Sequence, residues 1–293
     1  MTKINVTIRI EPDRWTGAVY TGEVYKAGFT NPSKSESDYV IISHDGYREA
    51  YLNTIWDTIK AKTTYDESAV GLKYYGIAES NAGDYNYSVD VTQADLPKDD
   101  NYSVGLYVRP GRLHILPKEA TVSTESAAKE YDGKALINAE AGITGLVAAD
   151  EGKVTVKGTG SQTEPGSSEN SYEINWGGVK ETNYTIVNEA LGTLTVSPKS
   201  LILTAATASK TYDGKALTAP GVTASGLPEG FVLEASASGS QTDAGITANK
   251  VNDGWKIKDA SGADVTKHFT VSETVDGTLT VNKAPAVILS LIH

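Results

Sequence analysis

The stretch KEYDGKAL at residues 129–136 decides the fold, because a near copy of it, KTYDGKAL, returns at residues 210–217. The two tyrosines of these copies lie 81 positions apart, at 131 and 212. Each copy is followed by the same closing phrase, GTLTV, at residues 192–196 and 277–281. A fixed period predicts an array of one folding unit, and arrays more often hold, space or bind other molecules than catalyse reactions.

A diverged third copy opens the chain. Its Tyr20-Thr21-Gly22 stands where Tyr-Asp-Gly stands later, and GRLHI at residues 111–115 supplies the first closing phrase. The spacing predicts three modules, with the first longer inside than the others: 1–117, 118–198 and 199–283. Residues 284–293 are expected to be a linker or the start of a truncated further module, because Ala286–Leu291 is apolar like a first strand.

The modules show the pattern of β-strands. Apolar side chains alternate at Ile4, Val6, Ile8 and Ile10, which is typical of a half-buried strand, and Gly, Ser, Asn and Asp clusters separate later strands. An all-β fold follows, and either β-grasp-like or immunoglobulin-like modules would suit it. The short linkers around Pro117 and Pro198 predict stiff joints and an elongated array.

The repeated Tyr-Asp-Gly motif reads as a turn with a structural role. The aspartate binds its own backbone, the glycine adopts a positive φ, and the tyrosine packs on the core. The motif residues are Tyr20 and Gly22 in the first copy, Tyr131, Asp132 and Gly133 in the second, and Tyr212, Asp213 and Gly214 in the third.

One stretch of the first module departs from the β pattern. The apolar residues Tyr47, Tyr51, Leu52, Ile55 and Ile59 fall on one face of a helix, and neither proline nor glycine interrupts residues 47–62. This predicts an added helix near 47–62 that covers one face of the first module's sheet.

The first module is also rich in aromatic residues, with 12 of the 16 tyrosines and two of the four tryptophans. Aromatic rings with polar edges serve binding surfaces as well as cores. Trp56 lies off the centre of the apolar helical face, so we expect it to be partly exposed. Tyr47, Tyr51 and Trp56 are therefore candidate ligand contacts, against the alternative that they pack in the core.

Composition excludes several classes of function. A net charge of −11 disfavours nucleic acid as a partner, and the absence of cysteine excludes disulfides and thiolate chemistry.

No apolar run is long enough to span a membrane, and Met1 leads directly into a strand pattern without a signal peptide. We expect a fragment of an exported chain whose signal and anchor lie elsewhere.

The polar residues show no catalytic pattern. The four histidines, at 44, 114, 268 and 293, are far apart, and the sequence carries none of the common nucleophile, zinc-protease or phosphate-loop motifs. The sequence predicts no catalytic, cofactor or metal site, and we expect that the protein is not an enzyme.

The motifs together resemble the MBG or YDG-type repeats of bacterial cell-surface, adhesin-like proteins. The resemblance depends on the two Tyr-Asp-Gly-Lys phrases, the Asn-Tyr pairs at 101–102 and 183–184, the closing phrases, and the Gly-Ser-Gln-Thr phrases at 160–163 and 239–242. It implies a secreted, cell-wall-associated or adhesin-like protein built as a stalk. We expect a monomeric, extracellular stalk or spacer whose first module, rich in aromatic residues, weakly binds a host glycan, mucin-type or extracellular matrix protein. A dedicated glycan- or protein-binding module and an accessory region of a larger secreted enzyme are the alternatives.

Overall fold

The computed structural model describes residues 2–29, 34–44, 47–62 and 76–285. These residues are mostly β-strand, and two α-helices are present among them, α1 (Glu36–Tyr39) and α2 (Arg48–Lys62). The predicted all-β fold and the predicted helix near 47–62 are both confirmed. The apolar segment Ala286–Leu291 lies outside the described residues.

Eight strands form three sheets in the first segment of the chain. They are β1 (Ile4–Ile10), β2 (Arg14–Val19), β3 (Tyr25–Ala27), β4 (Val40–Ile42), β5 (Ile77–Glu79), β6 (Gly83–Tyr87), β7 (Tyr102–Val108) and β8 (Gly111–Leu116). We call β4–β1–β7 the first opening sheet and β2–β8–β6 the first closing sheet, and β3 pairs with β5.

The second segment also has eight strands in three sheets, but its opening sheet uses the third strand of the segment and its closing sheet the fifth, where the first segment uses the fourth and the sixth. They are β9 (Lys118–Thr124), β10 (Ala127–Glu130), β11 (Ala141–Thr144), β12 (Thr155–Gly158), β13 (Gly166–Glu169), β14 (Tyr172–Asn175), β15 (Tyr184–Ala190) and β16 (Thr193–Ser197). Its opening sheet is β11–β9–β15, its closing sheet is β10–β16–β13, and β12 pairs with β14.

The third segment follows the same scheme. Its strands are β17 (Lys199–Ala205), β18 (Ala208–Thr211), β19 (Val222–Ser225), β20 (Val232–Glu234), β21 (Gly245–Asn249), β22 (Lys256–Lys258), β23 (Phe269–Val275) and β24 (Gly277–Asn282). The opening sheet is β19–β17–β23, the closing sheet is β18–β24–β21, and β20 pairs with β22.

Parallel pairing recurs in each segment. In the opening sheets β1 pairs parallel with β7, β9 with β15, and β17 with β23. In the closing sheets β2 pairs parallel with β8, β10 with β16, and β18 with β24. This mixed pattern differs from the antiparallel sheets of an immunoglobulin sandwich, and it aligns the three segments at the starts of their paired strands.

The chain divides into two compact units. Unit 1 contains residues 1–123, 142–156 and 174–190, and unit 2 contains residues 124–141, 157–173 and 191–293. Within the described residues, no helix is long and apolar enough to cross a membrane.

Unit 1 has two apolar cores. In the first, Val6, Ile8 and Ile10 of the opening sheet pack with α2, which contributes Ile55 and Ile59. The second core joins the first closing sheet to the next opening sheet. Its buried members are Tyr20, Ala27, Leu113, Ile115, Ala120 and Tyr184.

The main core of unit 2 joins the second closing sheet to the third opening sheet. Its buried members are Tyr131, Val196, Leu201, Ile257, Val265 and Phe269. Only Pro117 separates β8 from β9, and only Pro198 separates β16 from β17. A closing sheet and the opening sheet after it therefore share one core, and we call each such shared core a joint.

Candidate functional site

The Tyr-Asp-Gly loop of the second segment is held by a lysine that precedes it. Asp132 Oδ1 accepts hydrogen bonds from Lys129 Nζ at 2.6 Å and from the Lys134 backbone N–H at 2.9 Å. Lys129 Nζ also donates to the Lys134 carbonyl at 2.6 Å. The Lys129 hydrogen bond is the main cause that lowers the pKa of Asp132, so the loop is closed by an ionised carboxylate.

The third segment repeats this loop. Lys210 Nζ donates to Asp213 Oδ1 at 2.7 Å and to the Lys215 carbonyl at 2.5 Å. Gly133 and Gly214 have φ values of +77° and +78°, which only glycine adopts without strain. In the first copy Thr21 Oγ1 accepts from the Glu23 N–H at 3.3 Å, so a hydroxyl takes the place of the carboxylate.

In the first joint the motif tyrosine meets a buried carboxylate. The hydroxyls of Tyr20 and Tyr184 both donate to Asp150 Oδ2 at 2.8 Å, and their rings meet edge to face at 5.4 Å. Trp176 stacks on Tyr184 at 5.8 Å. Burial, helped by Asp150, raises the pKa of Tyr20 to about 12, and burial also raises the pKa of Tyr184.

In the second joint the motif tyrosine meets rings. Tyr131 is 4% exposed, and its ring lies edge to face with His268 at 4.6 Å, Phe269 at 5.5 Å and Phe231 at 5.8 Å. A methyl group on Gly133 would lie 2.8 Å from the Phe231 ring. The motif glycine is therefore required here for space as well as for φ.

A polar contact accompanies each joint. Asn183, which is buried, donates from Nδ2 to Asn81 Oδ1 at 3.1 Å and accepts from the Ala82 N–H at 2.8 Å. His268 stands at the position of Asn183, and its Nε2 contacts the carboxylate of Glu164. His268 therefore makes a contact within the second joint, and neither Asn81 nor Glu164 was found by sequence reasoning.

A buried asparagine clamps the start of each later closing strand. Asn170 accepts from the Gly160 N–H at 3.1 Å and donates to the carbonyls of Glu125 and Asn138, both at 3.0 Å. Asn249 makes the equivalent contacts in the third segment, to Gly239, Ala206 and Ala219.

In the first segment a tyrosine performs part of this role. Tyr87 stands opposite Gly111 as Asn249 stands opposite Gly277, and its hydroxyl donates to the Asp13 carbonyl at 2.6 Å. A side chain on Gly111 would clash with the Tyr87 ring at 2.1 Å. The sequence signal for this clamp was the invariant glycine that opens each closing phrase, since it marks a close approach.

The motif loop of the second segment also lines a groove of about 420 Å³ in unit 2. Its other walls are residues 229–231 and 259–261. The lining contributes three carboxylates, of Asp132, Glu229 and Asp259, against one ammonium group, of Lys134, and hydrogen bonds from Ser261 lower the pKa of Asp259. The groove therefore favours a neutral or cationic ligand over an anion. No cluster of three metal-ligating side chains occurs among the residues that the structure describes.

The aromatic residues proposed as ligand contacts lie in the first core. Tyr47, Tyr51 and Trp56 are between 3% and 8% exposed, and the Trp56 ring packs edge to face on Phe29 at 5.0 Å. The expectation of a partly exposed Trp56 was wrong. Phe29 and Tyr39 lie outside the helical pattern of residues 47–62. Their rings cover the side of α2 that the pattern predicted to be exposed.

The prediction that the motif tyrosine packs on the core was wrong for the third copy. Tyr212 is 43% exposed, whereas Tyr20 is 6% exposed. Its Asp213 and Gly214 nevertheless keep the loop geometry of the second copy. The motif therefore forms its turn whether or not its tyrosine is buried in a joint.

No family model and no curated protein sequence matches the chain. Among solved structures, the chain is similar to an endo-fucoidan hydrolase from glycoside hydrolase family 107, with 11% sequence identity and a TM-score of 0.20. The match covers 94% of this chain and 45% of the hydrolase, so the chain spans less than half of that protein. A TM-score this low carries no argument about fold or activity.

Proposed function

We propose that the chain is a non-catalytic spacer of a bacterial surface protein, in which successive repeats are joined through shared cores. The observation that carries the proposal is the burial of the motif tyrosine in the joint, at Tyr20 and Tyr131. A flexible linker would leave the repeats free to move independently. A buried ring and a single proline between strands resist bending, because bending would separate packed apolar surface.

The sequence supports this proposal in two further ways. The repeated phrases resemble those of adhesin-like surface proteins, and the acidic composition keeps an exported chain soluble. We propose an extracellular, monomeric protein whose partners, where it binds any, are host glycans, mucin-type proteins or matrix proteins. Repetition along one chain would raise the avidity of weak contacts.

The mechanical part of the proposal is tested by stretching the whole chain between handles at its two ends in optical tweezers. The matched variants are Tyr131→Ala, in the second joint, and Tyr212→Ala, in the same motif but with the tyrosine 43% exposed. A spacer predicts an unfolding step of unit 2 whose force falls clearly in Tyr131→Ala and less in Tyr212→Ala. Equal forces in the two variants, or extension without any resisted step, would contradict the proposal.

A second candidate function is the binding of a neutral glycan in the groove of unit 2, where the Phe231 ring and three carboxylates offer stacking and hydrogen-bond acceptors. A screen of the whole chain against glycan and mucin arrays tests it. Saturable binding that Glu229→Gln abolishes, and that the exposed Glu273→Gln leaves intact, would favour binding over spacing. Absence of binding would contradict this second function.

A further inference from the structure

The first opening sheet is covered differently from the next two. Val6, Ala120 and Leu201 occupy the same register position in β1, β9 and β17, because Ile4, Lys118 and Lys199 pair with the first residues of β7, β15 and β23. Ala120 and Leu201 are buried in joints, against the preceding closing sheet. Val6 is buried in the core that α2 covers. Helix α2 therefore lies where a preceding closing sheet would lie.

The aromatic rings show the same replacement. Tyr102, Tyr184 and Phe269 are the equivalent first residues of β7, β15 and β23. Tyr184 meets the motif tyrosine Tyr20 edge to face, and Phe269 meets the motif tyrosine Tyr131 in the same way.

Tyr102 meets Tyr47 edge to face instead, at 4.0 Å and an interplanar angle of 77°. Tyr47 immediately precedes α2. Its ring takes the place of the motif tyrosine that a preceding repeat would supply.

The third closing sheet carries the complementary half of a joint. Tyr212 stands at the position of Tyr20 and Tyr131 but remains 43% exposed. Asp243 stands two residues before the first residue of β21, as Asn81 and Glu164 do before β6 and β13, and it is exposed. We call Tyr212 and Asp243 the Tyr212 face.

We propose that α2 is a built-in cap that prevents the first opening sheet from docking on the Tyr212 face of a second copy of the chain. Without the cap, Val6 would be open at the position where Ala120 and Leu201 meet a preceding closing sheet, and the Tyr212 face of a second copy could dock there. Such a head-to-tail contact is heterologous and grows into chains. The inference concerns the first opening sheet and the Tyr212 face, and it does not depend on the spacer function.

The test removes the cap without changing a buried side chain. Asn53 is exposed on α2, and Asn53→Pro removes a helical hydrogen bond and breaks the helix. Asn53→Ala is the matched control, because alanine preserves the helix. Each variant of the full chain is followed by circular dichroism and by sedimentation velocity over a concentration series. Two further variants in the Asn53→Pro background, Tyr212→Ala and the exposed Tyr107→Ala, locate the contact.

The expected result is a monomeric Asn53→Ala protein and a concentration-dependent association of Asn53→Pro that Tyr212→Ala weakens at least about tenfold and Tyr107→Ala does not. The factor corresponds to the loss of one ring contact, about 1.4 kcal/mol. A monomeric Asn53→Pro protein that has lost helix and kept its strands would overturn the cap. Association that Tyr212→Ala leaves unchanged would overturn the chosen partner surface.

If Asn53→Pro unfolds unit 1 as a whole, double-mutant cycles test whether the Tyr47–Tyr102 ring pair is equivalent to the Tyr20–Tyr184 ring pair. The cycles compare Tyr47→Leu and Tyr102→Leu with Tyr20→Leu and Tyr184→Leu in urea unfolding. A favourable coupling of about 2- to 12-fold in the unfolding equilibrium constant is expected for an edge-to-face ring pair. The equivalence is refuted if the Tyr47–Tyr102 pair shows no coupling.

Discussion

The burial of the motif tyrosine in a joint predicts that one substitution has different effects in two copies of one motif. Tyr131 is 4% exposed and Tyr212 is 43% exposed, although both follow a four-residue strand and precede the same lysine-held turn. We expect Tyr131→Ala to destabilise unit 2 much more than Tyr212→Ala does. The shared turn makes Tyr212→Ala the matched control.

The magnitude follows from the surface that each ring buries. An aromatic side chain removes about 200 Å² from water when it is fully buried. The difference in exposure corresponds to roughly 80 Å² of extra buried surface at Tyr131, or about 2 kcal/mol at about 25 cal/mol per Å². Edge-to-face contacts with His268, Phe269 and Phe231 add about 1–2 kcal/mol. We therefore expect Tyr131→Ala to cost about 3–4 kcal/mol more than Tyr212→Ala.

Urea unfolding followed by hydrogen exchange and mass spectrometry gives the stability of unit 2 separately from that of unit 1. Peptides from residues 191–285 report on unit 2, since this part of the chain belongs to it without interruption. Equal losses of unfolding free energy in the two variants would refute the reasoning. A loss confined to unit 1 peptides would refute it as well.

Three further predictions concern the turns, the clamp and the buried hydroxyl. Gly133→Ala and Gly214→Ala should both lose about 1–2 kcal/mol of unfolding free energy, because alanine is strained at a positive φ. Gly133→Ala should lose about 1–3 kcal/mol more in urea unfolding, because its methyl group meets the Phe231 ring. Equal urea midpoints for the two variants would contradict this. Asn170→Ala should cost several kcal/mol in the same measurement, at about 1–3 kcal/mol for each backbone group left without its partner, and a loss below about 1 kcal/mol would disprove the clamp. In the folded protein the pKa of Tyr20 is raised from 10.0 to about 12, so the neutral hydroxyl contributes stability below pH 10 that is lost as the pH rises to about 12. The stability advantage of the natural protein over Tyr20→Phe should therefore shrink by about 2–3 kcal/mol between pH 10 and 12. An advantage that stays constant with pH would contradict the raised pKa.

The repeat made several features of the fold predictable. Period-2 alternation in β1 and the spacing of apolar residues along α2 are local signals, because each depends on residues within a few positions of one another. The turn at Asp132 and Gly133 was predictable for the same reason. The module boundaries at residues 117 and 198 remain predictions about folding units, and a cut after 117 would divide the core that contains Leu113, Ile115 and Ala120.

The functional interpretation of the aromatic residues depended on contacts that no local pattern contains. The helical pattern placed Trp56 beside the apolar face, but Phe29 and Tyr39 cover it from elsewhere in the chain. Likewise, the residues around Asp150 in the sequence do not predict that its carboxylate accepts hydrogen bonds from Tyr20 and Tyr184.

The sequence by itself determined the repeat, the all-β class, the added helix and the turn at each motif, because periodicity and turn chemistry act between near neighbours. Only the tertiary structure decided which tyrosine is buried, which polar groups meet in the joints, and that α2 occupies the place of a closing sheet. Those outcomes depend on side chains that are far apart in the chain, such as Tyr20 and Asp150, which are separated by 130 positions. Their contact results from the packing of whole sheets, and the sequence around either residue does not predict it.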